Sequence, residues 1–336
     1  MWFEKLTGFS EQNPQQVREN IAIAENKLIS KVTGNEFTFG KLELLSLEDL
    51  RNRTKAYKGE YKSRIQISEA VGDVQSFHNN ILNKGAFFQV ASQFNLLEMV
   101  HPGVTPEHGV GIYENDRTQG PACSIACGAA TIYRNYFVNI NNQTGQSNNN
   151  QIDCLEDIGL ELNNDGDRLW KMSNGYALVN DEESLSDITK QIESKSKEEY
   201  EHLKSKLKIG IQWDTEVTIS ESKHLVSQAF CSALPIAYHT HLPRIIDNWT
   251  EFACLVLEAS YEATFHSALI NYENTGNNKV FLTLLGGGVF GNKHEWIFDA
   301  IRKSIQLFSN TPLDIRIVSY GNSNPHLVAF IESTKN

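Results

Sequence analysis

Cysteine is scarce and odd in number: Cys123, Cys127, Cys154, Cys231 and Cys254 are the only five in 336 residues. An odd count in a chain this long argues against a disulfide framework and points to a reducing, cytoplasmic setting. Cys231 and Cys254 stand in apolar runs and read as small core residues. No run approaches the roughly 18 apolar residues of a membrane span. Met1 to Thr7 lacks a basic stretch followed by an apolar one, so it does not read as a signal peptide. An excess of positive charge is also missing. Thirty Lys and Arg against 41 Asp and Glu leave a formal charge of −11. That speaks against broad nucleic-acid binding, which needs a basic face. It leaves room for an anionic small ligand, because a glycine loop holds phosphate with backbone dipoles.

What is present is ample core material, with 40% hydrophobic and 10% aromatic residues, and one unusual run of glycine. Leu282-Thr283-Leu284-Leu285 is apolar and β-prone, and Gly286, Gly287, Gly288, Val289, Phe290, Gly291 and Asn292 follow it. A helical pattern comes next. Strand, glycine loop, helix is the arrangement in which bare amides and a helix N-terminus hold phosphate. The plain alternative is a tight turn in which glycine only supplies positive φ. The run is not the dinucleotide fingerprint, which needs an acidic residue about 20 positions on. Nor is it a P-loop: no Gly-Lys-Ser/Thr follows, and Lys293 is out of place.

The periodicity predicts a helix from Pro14 to Leu28, a capping box at Ser46 and Asp49, and a buried strand over 85–92. A long irregular stretch runs from Gln93 to Gln119, and such a loop is often functional. A tightly packed helix over 120–137 follows, then a polar loop over 139–150. Asn174-Gly175 marks a hairpin. Ser184 to Leu207 reads as a charged helix, 209–217 and 224–234 as strands, and Trp249 to Tyr272 as a long buried helix. The tail alternates strand 279–285, helix 294–308 and strand 313–319, which predicts an α/β sheet.

Four further clusters carry possible chemistry. Asn95 and Glu98 emerge where a strand ends, and either hold a ribose and orient a water or merely cap the loop. Glu114 and Asp116, with Asn115 and Arg117, precede a helix. They read as a general base or metal ligand, or as capping residues together with Thr118. His239-Thr240-His241 places two imidazoles on one face of a strand, but no third zinc ligand is evident, so a surface loop is the simpler reading. Gln119-Gly120-Pro121-Ala122-Cys123-Ser124-Ile125-Ala126-Cys127 superficially resembles the approach to the nucleophile of papain-like proteases. The cysteines fall four and eight after the glutamine rather than six, and no Trp follows, so a cysteine hydrolase is the weakest reading.

Taken together, the C-terminal residues resemble the macrodomain family of ADP-ribose-binding proteins and their poly(ADP-ribose) glycohydrolase relatives. The similarity runs from Leu284 through Gly286-Gly287-Gly288-Val289-Phe290-Gly291-Asn292, the following helix, and the last strand Asp314 to Tyr320. Gln89 to Asn95 matches the family's second ADP-ribose segment, with Asn95 on its last asparagine. The paired glutamates of the glycohydrolases are not present in their usual form. The resemblance implies a macrodomain-like mixed sheet flanked by helices, with residues 1–84 as an α+β extension. Residues 85–336 would be the domain proper, with an insertion over about 139–222. It implies that the amides of Gly287, Gly288, Val289, Phe290 and Gly291 hold a diphosphate, with Gly286 and Asn292 flanking them. Phe290 and Asn95 would sit at the distal ribose, and Tyr320 or Asn322 at the adenine side. The implied ligand is ADP-ribose or an ADP-ribosylated group, with no cofactor or metal. If the chain is an enzyme, a water oriented by Asn95 and a carboxylate among Glu98, Glu114 and Asp116 would attack the anomeric carbon. The alternatives are a non-catalytic binding module, with a protein partner on the N-terminal region, or a scaffold that has lost its ligand.

Overall fold

The computed structural model describes residues 1–57, 61–239 and 246–334. Seven strands form the central sheet: β1 (Lys41–Ser46), β2 (Gln66–Val71), β3 (Phe87–Ala91), β4 (Lys208–Glu216), β5 (Leu225–Cys231), β6 (Lys279–Leu282) and β7 (Asp314–Ser319). Their order is β1-β4-β5-β3-β6-β7-β2. From β5 to β2 every pairing is parallel. The two pairings made by β4 are antiparallel. The sheet is therefore mixed, as expected. Its central strand β3, Phe-Phe-Gln-Val-Ala, is almost entirely buried. A continuous apolar run of that kind is what a parallel strand covered on both faces requires.

Helices pack on the sheet in two groups. Thr250–Thr275 gathers His294–Leu307, Leu47–Thr54 and the helices of the 182–205 region. The second group, Val74–Asn79, Gln119–Ala126 and Gly128–Tyr136, lies against β3 and β4. No helix among the described residues is long and apolar enough to cross a membrane.

The expected boundary at residue 84 does not delimit a separate unit. Both edge strands, β1 and β2, come from the first 84 residues. Short strands at 41–46 and 66–71 are recognised as sheet members only through pairing with β4 and β7, far along the chain. The insertion likewise ends before Lys208, because β4 lies inside the sheet. Other boundaries move for local reasons. The helix from Pro14 stops at Asn20, where Ile21–Ala24 pairs with Lys27–Ser30. The 184–207 segment is two helices, because a second capping box at Ser196 and Glu199 restarts the turn. The 120–137 segment breaks at Cys127, which is non-helical. The capping box at Ser46 and the Asn174-Gly175 hairpin form as expected.

One charge cluster ties the first helix group together. Arg51 reaches Glu262 at 2.6 Å and Glu201 at 2.6 Å, and Lys204 reaches Glu262 at 3.1 Å. Burial opposes the charge on Glu262. Hydrogen bonds from His266 and Arg51 and the charge of Lys204 outweigh it, holding the carboxyl well below the usual range. A depressed carboxylate adds stability above its unfolded pKa, about 4.3, and loses it as pH falls further. Glu262→Gln is expected to cost about 1–2 kcal/mol at pH 7 and to flatten the loss of stability below pH 5. Urea midpoints at pH 7 and pH 4 check both effects.

Candidate functional site

Parallel strands bring their C-terminal ends to one edge, and there the chain leaves three segments side by side. Ser92 to Val100 follows β3, Ser232 to Tyr238 follows β5, and Thr283 to Phe290 follows β6. With the start of the Gln119–Ala126 helix they enclose a cleft of about 650 Å³. This is the usual ligand position of an open α/β sheet.

The glycine loop is closed by its own backbone. Gly286 and Gly291 sit at φ +73° and +75°, in the left-handed region that glycine adopts without steric cost. Gly287 donates to the Leu284 carbonyl at 3.0 Å, Gly291 to Gly288 at 3.1 Å and Asn292 to Gly286 at 2.9 Å. So the amides of Gly287 and Gly291, assigned above to a diphosphate, are spent inside the loop. Those of Gly288, Val289 and Phe290 have no hydrogen-bond partner among the described residues, and all three residues line the cleft. Asn292 turns away: its buried Nδ2 donates to the Leu234 carbonyl at 2.9 Å and fastens the loop to the segment after β5. Phe290 packs with Tyr176 and Tyr238, ring centroids 5.5 and 5.8 Å away. The three rings form an aromatic wall.

Opposite the loop, the turn after β3 is closely tied. Gln93 donates to Leu97 and Leu96 to Gln93 through the backbone. Asn95 Oδ1 accepts from the Leu97 amide at 3.1 Å, and Gln93 Oε1 accepts from Met99 at 2.8 Å. The Glu98 amide donates to the Tyr113 hydroxyl at 2.9 Å. Asn95 is thus fully buried and donates to Gln151 at 2.7 Å. It does not line the cleft, so it has no access to a ribose there. Its residue type suits a tight turn as well as a ligand, and only the fold separates the two. Glu98 does line the cleft. It is 4% exposed, and Oε1 has no hydrogen-bond partner among the described residues. Burial raises its pKa well above the ordinary carboxylate value. The Arg134 guanidinium pulls it down and the Asp116 charge adds to the rise.

Asp116 lines the same cleft, and its Oδ1 also accepts from the Thr118 amide at 2.8 Å. Glu114 is elsewhere. It accepts from the Trp2 amide at 2.8 Å and borders a second cavity of about 720 Å³, which shares Asp116 and Arg117 with the cleft as a common wall. Tyr320, 77% exposed, borders that second cavity. Asn322 is exposed, with its amide bonded to the Tyr320 carbonyl. Neither borders the cleft itself.

No family model and no curated protein matches this sequence. Among solved structures the chain is similar to poly(ADP-ribose) glycohydrolase from Thermomonospora curvata, at 10% identity over 95% of each chain with a TM-score of 0.46. It is also similar to poly(ADP-ribose) glycohydrolase from Deinococcus radiodurans in complex with ADP-ribose. There the identity is 10% over 88% of this chain and 94% of that one, with a TM-score of 0.45.

The remaining sequence candidates resolve on burial. Cys123 and Cys127 are fully buried, and desolvation pushes both thiols up, Cys123 far above its ordinary value. A buried thiol held protonated is not a nucleophile, and the cysteine-hydrolase reading falls with it. His239 is buried rather than on a surface loop. Nε2 accepts from the Val179 amide at 2.8 Å and Nδ1 bonds the Pro235 carbonyl at 3.0 Å, which clasps the hairpin to the segment after β5. His241 lies outside the described residues. Among the described residues no group of His, Cys, Asp or Glu is placed to hold a metal.

Several site residues escape sequence reading. Tyr176 and Tyr238 come from distant segments, and nothing local marks them. Gln119 reaches across from the helix start to accept from Ala91 at 2.9 Å and donate to the Gln89 carbonyl at 2.8 Å, fixing that helix to β3. Arg134 carries a faint signal, as a charge amid the small and apolar residues of its helix.

Proposed function

We propose that the cleft binds ADP-ribose or an ADP-ribosylated group and hydrolyses the linkage at the distal ribose. One observation carries this reading. The consecutive amides of Gly288, Val289 and Phe290 are left unpaired in a loop that lines the same cleft as the buried Glu98 carboxyl. Unpaired consecutive amides suit a diphosphate without any lysine, consistent with the acidic chain. The aromatic wall of Phe290, Tyr176 and Tyr238 suits the apolar face of a ribose. The residue-by-residue resemblance of the loop to macrodomains supports ADP-ribose over other diphosphates.

Two carboxyls then divide the chemistry, as in glycoside hydrolysis. Glu98, whose pKa burial raises, donates its proton to the leaving oxygen as the bond from the anomeric carbon breaks. A water attacks that carbon, and Asp116 accepts the proton the water releases. Asn95 and Glu114 take no part, because their side chains are committed elsewhere.

A second reading is a binding module without turnover. It is favoured by the near-complete burial of Glu98 and by the loss of Asn95 as a water-orienting group. Calorimetry with ADP-ribose, and release of ADP-ribose from an ADP-ribosylated protein, test both. Binding with release supports hydrolysis, and binding without release supports the module. The absence of any binding heat overturns both.

A further inference from the structure

Arg134 is the largest fully buried side chain among the described residues, and an interior guanidinium is costly unless its hydrogen bonds are answered. Its partners are specific. Nε donates to the Leu96 carbonyl at 3.2 Å, and Nη2 donates to the Thr131 and Ser124 hydroxyls at 3.1 and 3.3 Å. The guanidinium lies over the Phe230 ring, 3.7 Å from its centroid. Nη1 has no partner among the described residues.

The Leu96 contact is informative. Leu96 has φ +65°, a left-handed conformation that costs a leucine roughly 1–2 kcal/mol. That bend turns the chain so that Glu98, two residues on, lines the cleft. Gly210 makes room for it, since a Cβ there would lie 2.3 Å from Leu96 Cδ1. Gly120 likewise makes room for the carboxyl, since its Cβ would lie 2.2 Å from Glu98 Oε2. The buried cation and Gly210 converge on the bend at Leu96, and Gly120 makes room for the carboxyl that the bend presents.

We propose that Arg134 is the positioning residue for Glu98: through the Leu96 carbonyl it holds the bend that aims the carboxyl into the cleft. The inference deepens the proposed reading of the cleft and rests on Glu98 as its acid. The other groups that face Glu98 are Asp116, Tyr113, Cys123 and Tyr176. Of these, Asp116 is the one whose charge opposes ionisation of Glu98. The thiol and the two phenols are held neutral by burial.

The test is a carbon-13 NMR titration of the Glu98 carboxyl in the full chain without ligand, the resonance being assigned by its loss in Glu98→Gln. Arg134→Met is expected to raise the midpoint by about one pH unit or more, a tenfold change in proton affinity. An unchanged midpoint in a folded Arg134→Met protein overturns the proposal. If that variant does not fold, Arg134→Lys keeps the charge but loses the planar fork. Hydrogen exchange at Leu97, Glu98 and Met99 should then speed up about tenfold relative to the amides of β3, and unchanged protection overturns the proposal. Neither readout needs turnover. If ADP-ribose fails to bind while the midpoint still moves, the reading of the cleft fails and the role of Arg134 stands.

Discussion

Glu98→Gln is expected to slow release of ADP-ribose from an ADP-ribosylated protein by about a hundredfold or more, while ADP-ribose affinity stays within about threefold. Glutamine keeps the shape and polar atoms of the side chain but has no proton to give to a leaving oxygen. The carboxyl is suited to that task because burial, reinforced by Asp116, keeps it protonated above the ordinary carboxylate range. The pH dependence follows with a definite sign. Glu98 binds its proton more tightly folded than unfolded. Its contribution to stability is therefore complete below about pH 4.3, the unfolded value, and is lost as pH rises through the raised folded value. Wild-type turnover should fall over the same upper range as the acid form disappears. The glutamine variant carries no such cost, so its urea midpoint at pH 8 should equal or exceed that of the wild type. A variant that retains more than about a tenth of wild-type turnover would remove Glu98 from the chemistry.

Gly286→Ala is expected to weaken ADP-ribose binding by about thirtyfold or more and to destabilise the fold by roughly 1–2 kcal/mol or more. Two effects combine. The residue sits at φ +73°, and an added Cβ would stand 2.5 Å from Ala233 Cβ and 2.6 Å from Asn292 Nδ2. Neither neighbour yields easily. Ala233 belongs to the segment directly after β5, and Asn292 is held by the Leu234 carbonyl. The loop must therefore move, and with it the unpaired amides of Gly288, Val289 and Phe290. Gly288→Ala is the control. A Cβ added there would meet nothing within 4 Å, and its φ is outside the left-handed region, so affinity should change by less than about threefold. Calorimetry of both variants with ADP-ribose decides the matter. Equal losses in the two would mean that the loop is not a preformed cradle.

Much of the C-terminal half is legible in the chain. β6, the glycine loop, the following helix and β7 appear near their expected places, because each announces itself locally. Apolar runs mark the strands, 3.6-residue spacing marks the helix, and the glycine run marks a loop that needs left-handed φ at two of its positions, Gly286 and Gly291. The N-terminal half is less legible. β1 and β2 read as part of an α+β extension because their partners, β4 and β7, lie well over a hundred residues away. A sheet edge is created by pairing, and pairing leaves no local trace.

The site divides in the same way. Residue order suffices for the character of the loop, the acidity of the facing segment and the exclusion of lysine-based phosphate sites. It does not say which carboxyl and which amides matter. Asn95, Glu98 and Glu114 are equally plausible as letters. Folding buries Asn95 within its own turn, carries Glu114 to the first helix, and leaves Glu98 against the cleft beside an interior arginine. Residue type sets what a side chain is able to do, whereas burial and charge neighbours, which arise only when distant segments meet, set which proton it holds and what it reaches.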